Sequence, residues 1–76
     1  MLEELEKRFI LLKKEYHNDF FQDLYYDTEL RLKDCLHKYV TEQREADILL
    51  QVSVRIIEIQ ITSLESVQKN FNISIH

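Results

Sequence analysis

The chain contains neither glycine nor proline among its 76 residues, and this absence is the strongest constraint on its fold. These two residue types are the usual helix breakers and turn formers, so a chain without them favours long helices. Glycine loops that bind phosphate and tight hairpins that depend on glycine are excluded as well. The sequence therefore predicts an all-α fold.

The first segment has the apolar spacing of one helix face, formed by Leu2, Leu5, Phe9, Leu12 and Tyr16. This pattern slips at Asn18, where Asp19 could cap a new helix. The spacing of Phe20 and Leu24 fits an unbroken helix equally well, and Asp27 offers a second start signal. We therefore predict a first helix that is either continuous or broken near Asn18 or Asp27.

The segment from residue 47 to 66 carries two apolar seams. The first seam consists of Leu50, Val54, Ile57, Ile61 and Leu64, and the second consists of Leu49, Val52, Ile56 and Ile59. On a helix the two seams lie roughly 140° apart, at about 100° per residue. Residues 51–62 also alternate as in a strand, which would pair with residues 71–75. Helix is favoured because two heptad seams would be coincidental in a strand.

These segments predict one domain, residues 1–68, built as a long antiparallel hairpin of two helices. A turn between Lys33 and Glu45 would give arms of comparable length. It would also pack the first arm on the first seam through Leu5, Phe9 and Leu12 against Ile57, Ile61 and Leu64. Residues 69–76 are expected to form a frayed or extended tail. Because so short a chain is marginally stable alone, we expect the hairpin to join a larger helical bundle with a partner or a second copy.

Composition excludes several classes of function. The formal net charge is −4 and no basic stripe is present, so we predict no nucleic-acid binding. No stretch approaches the roughly 20 apolar residues of a membrane span.

A single cysteine, Cys35, fits the reducing cytoplasm. His17, His37 and His76 lack the spacing of metal ligands, and catalysis by Cys35 would need a nearby base and a pocket, which a two-helix protein has nowhere to form. We therefore predict that Cys35 is a small buried hydrophobic residue. We also predict that the chain is not an enzyme and binds no metal or cofactor.

Protein binding is the function that these patterns favour. One seam of the second helix would face the first helix, and the other would be left for another protein or a second copy. The aromatic residues at 20–26 are either core filler or a partner-facing hot spot. The candidate partner-binding residues are Leu49, Val52, Ile56, Ile59, Phe20, Phe21 and Tyr25.

The chain resembles the small co-chaperones of type III secretion needle subunits, the YscE, PscE, EscE and SsaE group. The likeness rests on the chain's size and charged first helix, on Leu2-Glu3-Glu4, on Tyr39 followed by Gln43-Arg44-Glu45, and on an apolar closing helix with Leu50, Val54, Ile56 and Ile57. One departure is that the family usually marks the turn before the tyrosine with glycine or proline, and residues 32–35 offer neither.

The resemblance implies a non-enzymatic helical hairpin in the bacterial cytoplasm. Its partner would be a larger helical-repeat chaperone, and the pair would keep a polymerising needle subunit soluble. The second seam would then meet that chaperone. The alternative is a homo-oligomeric coiled coil with a structural or regulatory role, which would assemble through the same seam.

Overall fold

The protein is seen in a computed structural model that describes residues 2–16, 19–43 and 46–75, with only the backbone described for residues 72–75. The helices are α1 (Leu2–Glu15), α2 (Gln22–Glu42) and α3 (Ile48–Ile75), and a short 3-10 helix (Asp19–Phe21) precedes α2. These residues contain no β-strand. The predicted all-α class is confirmed, and residues 51–62 belong to a helix rather than to the alternative strand.

The first half of the chain is broken at the earlier of the two predicted positions. Helix α1 ends at Glu15, the 3-10 helix begins at Asp19, and α2 then runs through Asp27 without interruption. Asp19 does not cap α2, because the residue before that helix is Phe21 and no side chain caps its first turn. Asn18 lies outside the described residues.

The turn between α2 and α3 lies at the far end of the expected range. We predicted it between Lys33 and Glu45, and α2 ends at Glu42 while α3 begins at Ile48. The helix ends when Gln43 adopts a left-handed conformation (φ 53°, ψ 41°) and its N–H donates to the Tyr39 carbonyl at 3.0 Å. Glycine normally fills this position. In a chain without glycine, Gln43 adopts this less favourable backbone conformation in its place.

Helix α3 begins with a side-chain cap. The Asp47 carboxylate accepts hydrogen bonds from the backbone N–H groups of Leu49 and Leu50, at 2.7 and 3.3 Å. An aspartate at this position satisfies donors that the helix itself cannot pair. The cap therefore fixes where the two apolar seams of α3 begin.

The expected tail is instead part of α3, which stays helical to Ile75. The burial of one residue and the contact of another explain why the helix does not end near Lys69. Gln68 is buried, and the Phe71 ring packs edge-on against the Phe21 ring with centroids 5.8 Å apart. His76 lies outside the described residues.

Helices α2 and α3 run antiparallel. The Phe21–Phe71 contact joins the start of α2 to the end of α3. Nearer the turn, the Gln60 amide donates to the Asp27 carboxylate at 3.4 Å. The two helices therefore form the hairpin, with α2 as one arm and α3 as the other.

Helix α1 folds back along this hairpin as a third helix. Near its end the Tyr25 hydroxyl donates to the Tyr16 carbonyl at 3.3 Å, and Lys13 pairs with Glu29 one turn earlier in α1. On α3, Arg8 reaches Glu65 at 2.6 Å. The break before Asp19 thus converts a two-helix hairpin into an elongated three-helix bundle, with extents of 46, 17 and 16 Å.

One apolar core joins the three helices. All five residues of the first seam are at most 9% exposed, and we call this row the inner seam. The six residues that were predicted to meet across the helices, Leu5, Phe9, Leu12, Ile57, Ile61 and Leu64, all belong to this core. From α2 the core receives Tyr25, Leu32 and Cys35.

Candidate protein-binding surface

The second seam of α3 lies on the surface. Leu49, Val52, Ile56 and Ile59 are 73, 50, 44 and 52% exposed, and we call this row the outer seam. Single exposed apolar residues are ordinary, but a continuous row of four is the pattern of an interaction surface. Its contrast with the inner seam is the clearest functional signal in the structure.

A shallow groove of about 400 Å³ runs between the outer seam and α2. Its α3 wall includes Leu49, Ser53 and Ile56, and its α2 wall includes Arg31 and Lys38. The outer seam therefore lies beside a row of charges, on the side of the hairpin away from α1. A partner on this surface would meet both rows.

The charged row of α2 is formed by Asp27, Arg31, Asp34 and Lys38. Arg31 pairs with Asp27 at 3.1 Å, and Lys38 pairs with Asp34 at 3.2 Å. All four side chains are more than half exposed. Pairs of this kind contribute only about 0.3–0.5 kcal/mol to helix stability, and they leave the charges accessible to other groups.

The aromatic candidates divide between surface and core. Phe20 is 80% exposed, whereas Phe21 and Tyr25 are 5 and 3% exposed. Phe21 contacts Phe71 across the bundle, and the Tyr25 ring meets the Phe9 ring edge-on at 6.2 Å. Phe21 and Tyr25 are therefore core residues, as in the alternative prediction, because Phe71 of α3 packs on Phe21 and Phe9 of α1 packs on Tyr25. Neither side chain is available to a partner in this conformation.

A second apolar groove lies at the turn end of the bundle, and sequence reasoning did not identify it. It measures about 820 Å³ and is lined by Leu2, Leu36, Tyr39, Val40, Leu50 and Val54, with polar residues at its edge. Val40 is among the most exposed apolar side chains on its wall. The groove exists because α2 and α3 continue past the first turn of α1. Only the lengths of the three helices reveal it, and these depend on the break before Asp19.

The side of the bundle between α1 and α3 is polar. Arg8 donates to Glu65 at 2.6 Å and to the Thr62 hydroxyl at 3.0 Å. The hydrogen bond to Glu65 raises the pKa of Arg8, because it favours the charged guanidinium. This side is therefore closed by an ion pair between the two helices, unlike the outer seam.

Cys35 is buried in the core, as predicted. Burial raises the pKa of its thiol, and the neighbouring Asp34 raises it further. The thiolate is the nucleophilic form of cysteine, so this environment keeps the side chain unreactive. The described residues contain no group of three or more histidine, cysteine, aspartate or glutamate side chains placed to hold a metal ion.

Two glutamine side chains carry buried atoms without a hydrogen-bond partner among the described residues. They are Gln60, through its amide oxygen, and Gln68, through its amide nitrogen. Gln68 is 1% exposed and continues the inner seam one turn beyond Leu64. A buried donor left unpaired costs stability, so Gln68 is a polar defect in the core.

None of the described helices has the length and apolar character needed to cross a membrane. Compared with models of known protein families, with characterised proteins and with solved structures, the chain matches none of them.

Proposed function

We propose that this chain is a non-enzymatic protein-binding module, a co-chaperone or adaptor that docks on another protein through the outer seam of α3. The observation that carries the proposal is the exposure of Leu49, Val52, Ile56 and Ile59, each at least 44% exposed, on the helix whose other side forms the core. Water contact with such a row is unfavourable, and a partner would remove it.

The spacing of the outer seam suits a helical partner. Its residues follow one another at intervals of three, four and three, which is the spacing of knobs that enter the holes of a facing helix. A helix that presents anchors in this way typically docks in an apolar groove between other helices. The resemblance to needle co-chaperones supports a helical-repeat chaperone as that partner, and through it a needle subunit, in the bacterial cytoplasm.

The experiment is co-expression with the helical-repeat needle chaperone and needle subunit of the same organism, followed by co-purification and calorimetry. We expect Ile56→Asp and Ile59→Asp each to weaken the complex by about 30-fold or more, the size of a hot-spot substitution. Leu11→Asp is the matched control, because Leu11 is similarly exposed but lies on α1. Far-UV circular dichroism of all variants should match that of the parent chain.

Two results would contradict the proposal. One is that the parent chain does not co-purify with the chaperone and needle subunit. The other is that the outer-seam variants bind as well as the Leu11 control. A loss of helicity in Ile56→Asp would make Val52→Ser the deciding variant, because it removes apolar contact without placing a charge on the helix.

A further inference from the structure

The outer seam and the charged row of α2 form one continuous surface, which we call the hairpin face. The groove between them is lined from both helices, by Arg31, Asp34 and Lys38 on α2 and by Leu49 and Ile56 on α3. Asp27 continues the α2 row and accepts a hydrogen bond from Gln60 of α3. Anything that covers one row must therefore also meet the other.

The charges of the α2 row alternate in sign, so the row is complementary to the same row read in the opposite direction. Along the helix the row reads Asp27, Arg31, Asp34 and Lys38, that is, negative, positive, negative and positive. Read backwards, every sign is opposite. In an antiparallel pair of α2 helices, Asp27 would face Lys38 of the second copy and Arg31 would face Asp34 of the second copy. All four positions would then be matched to opposite charge.

The apolar row of α3 has the same symmetry. Its spacing of three, four and three residues is unchanged by reversal, so Leu49 would meet Ile59 of the second copy and Val52 would meet Ile56 of the second copy. The centre of this row is at position 54. The centre of the charged row lies between positions 32 and 33.

These two centres lie at the same height in the bundle. Asp27 is hydrogen-bonded to Gln60 across the hairpin, and the two helices run antiparallel. Moving five to six residues along α2 from Asp27 therefore corresponds to moving back from Gln60 to about position 54 or 55 of α3. One two-fold axis, lying in the interface and crossing both helices, brings both rows into register at once.

We propose that the free chain forms an antiparallel two-fold homodimer through the hairpin face, with α2 facing α2 and α3 facing α3. In this dimer, the residue numbers of two facing positions, one from each copy, add up to 65 on α2 and to 108 on α3. We call this the pairing rule. The interface uses the surface that the proposed function assigns to a partner, but it depends only on the symmetry of the face. The second copy therefore covers the outer seam until a partner displaces it.

The size of the overlap predicts a reversible dimer. The pairing rule aligns residues 23–42 of the two α2 helices, about 30 Å at 1.5 Å per residue. With a bundle width of 17 Å, the contact covers on the order of 500 Å² of each copy, below the roughly 800 Å² of a standard stable interface. One step further out, Asp23 would face Glu42, and both are acidic. The charge complementarity therefore ends within the overlap and limits its strength.

The decisive experiment uses two variants, one in which all four charges of the α2 row are negative and one in which all four are positive. The acidic variant carries Arg31→Asp and Lys38→Asp, and the basic variant carries Asp27→Lys and Asp34→Lys. Light scattering over a concentration series should show the parent chain approaching twice its 9.3 kDa mass. Each variant alone should have a dimer Kd raised at least tenfold, and an equimolar mixture should recover dimers of one acidic and one basic chain. Circular dichroism checks that every chain is folded.

Alternating charges at this spacing also stabilise an isolated helix through pairs within it. If they serve only that purpose, both variants will dimerise like the parent or the mixture will gain nothing, and either result overturns the proposal. A parent chain that stays monomeric to millimolar concentration overturns it as well. None of these results bears on capture of the needle chaperone, so failure of the dimer and failure of the proposed function are distinguishable.

The direction of pairing is tested with a nitroxide label on Ser66→Cys in a Cys35→Ala background. Ser66 lies 12 residues beyond the centre of the α3 row, so an antiparallel dimer places the two labels about 36 Å apart by helical rise. A parallel dimer would place them about 10 Å apart, the spacing of packed helices. The long distance is expected, and the short one would contradict the two-fold axis.

Discussion

The inner and outer seams of α3 are nearly the same in composition and opposite in environment. Both consist of leucine, valine and isoleucine at heptad spacing. Every inner-seam residue is buried, whereas every outer-seam residue is exposed. The residue types of a seam therefore do not decide whether it becomes core. The neighbours of the helix decide it.

The difference arises from where α1 and α2 lie around α3. Arg8 reaches Glu65 on one side of the inner seam, and Asp27 meets Gln60 on the other. Two helices therefore flank the inner seam, and neither extends over the outer one. The outer seam is as apolar as the inner seam, but none of the described residues covers it.

The largest expected effect separates the two seams directly. Ile61 is fully buried in the inner seam and Ile59 is about half exposed in the outer seam. We expect Ile61→Ala to lower the free energy of unfolding by about 2–5 kcal/mol, through lost burial and a residual cavity. Ile59→Ala should cost only about 0.5 kcal/mol, as at other surface sites. Urea unfolding at low protein concentration measures both.

Equal losses for the two variants would show that the outer seam is covered in the free chain. The concentration dependence then identifies the cover. If the loss at Ile59 grows with chain concentration, a second copy provides it, because dimerisation stabilises the folded state by mass action.

A gain of stability is expected where the inner seam becomes polar. Gln68 continues that seam, is buried, and has an amide nitrogen without a partner among the described residues. Replacing it by leucine removes the unpaired donor and adds apolar contact, so Gln68→Leu should raise the free energy of unfolding by about 1–2 kcal/mol. Thermal unfolding of this variant and of Gln51→Leu, an exposed control on the same helix, tests the effect.

The sequence was enough to predict both seams, because helical spacing depends only on residue order. It also predicted that Leu5, Phe9 and Leu12 share a core with Ile57, Ile61 and Leu64. It left open whether the first helix is broken, and it did not predict that α1 folds back along the hairpin as a third helix. Whether the chain reverses near Asn18 depends on how α1 packs against α2, and local signals there fitted a continuous helix equally well.

Two of the aromatic candidates for partner binding, Phe21 and Tyr25, belong to the core, which was the alternative for this cluster. Phe21 packs on Phe71 near the end of α3, and Tyr25 packs on Phe9 of α1, which reaches it because the chain breaks before Asp19. The prediction that the helix ends before Lys69 was also wrong, because contacts with residues that are distant in the sequence hold the last turns of α3. Both errors concern tertiary contacts, which a single helix pattern does not contain.

A smaller effect is expected where the last turns of α3 meet the 3-10 helix. The Phe71 and Phe21 rings are 5.8 Å apart in an edge-on arrangement, and such a pair contributes about 0.5–1.5 kcal/mol beyond burial. Phe71→Ala should lower the free energy of unfolding by about 1 kcal/mol and accelerate hydrogen exchange in residues 69–75. Val67→Ala, on an exposed part of the same helix, should leave that exchange unchanged.

The smallest effect concerns Glu29 of α2, which pairs with Lys13 of α1 and with Lys33 of its own helix, on the side of the bundle away from the hairpin face. Burial acts to raise the pKa of Glu29, but Lys33 and Lys13, each 3.4 Å away, overcome it and hold the pKa below its usual value. A lowered pKa in the folded state means that the carboxylate adds stability above its unfolded pKa of about 4.3. This contribution is lost as the pH falls through the folded pKa.

Because the Glu29 side chain is about one-third exposed, screening reduces the contribution to about 0.5 kcal/mol. Glu29→Gln should therefore cost about that much at pH 7 and nothing near pH 2, where the parent carboxyl is also neutral. Glu6→Gln, at an exposed site on α1, is the control. A Glu29→Gln deficit that persists unchanged into acid would mean that packing, rather than charge, holds α1 in place. The Lys13–Glu29 ion pair would then contribute nothing to holding α1 over the inner seam.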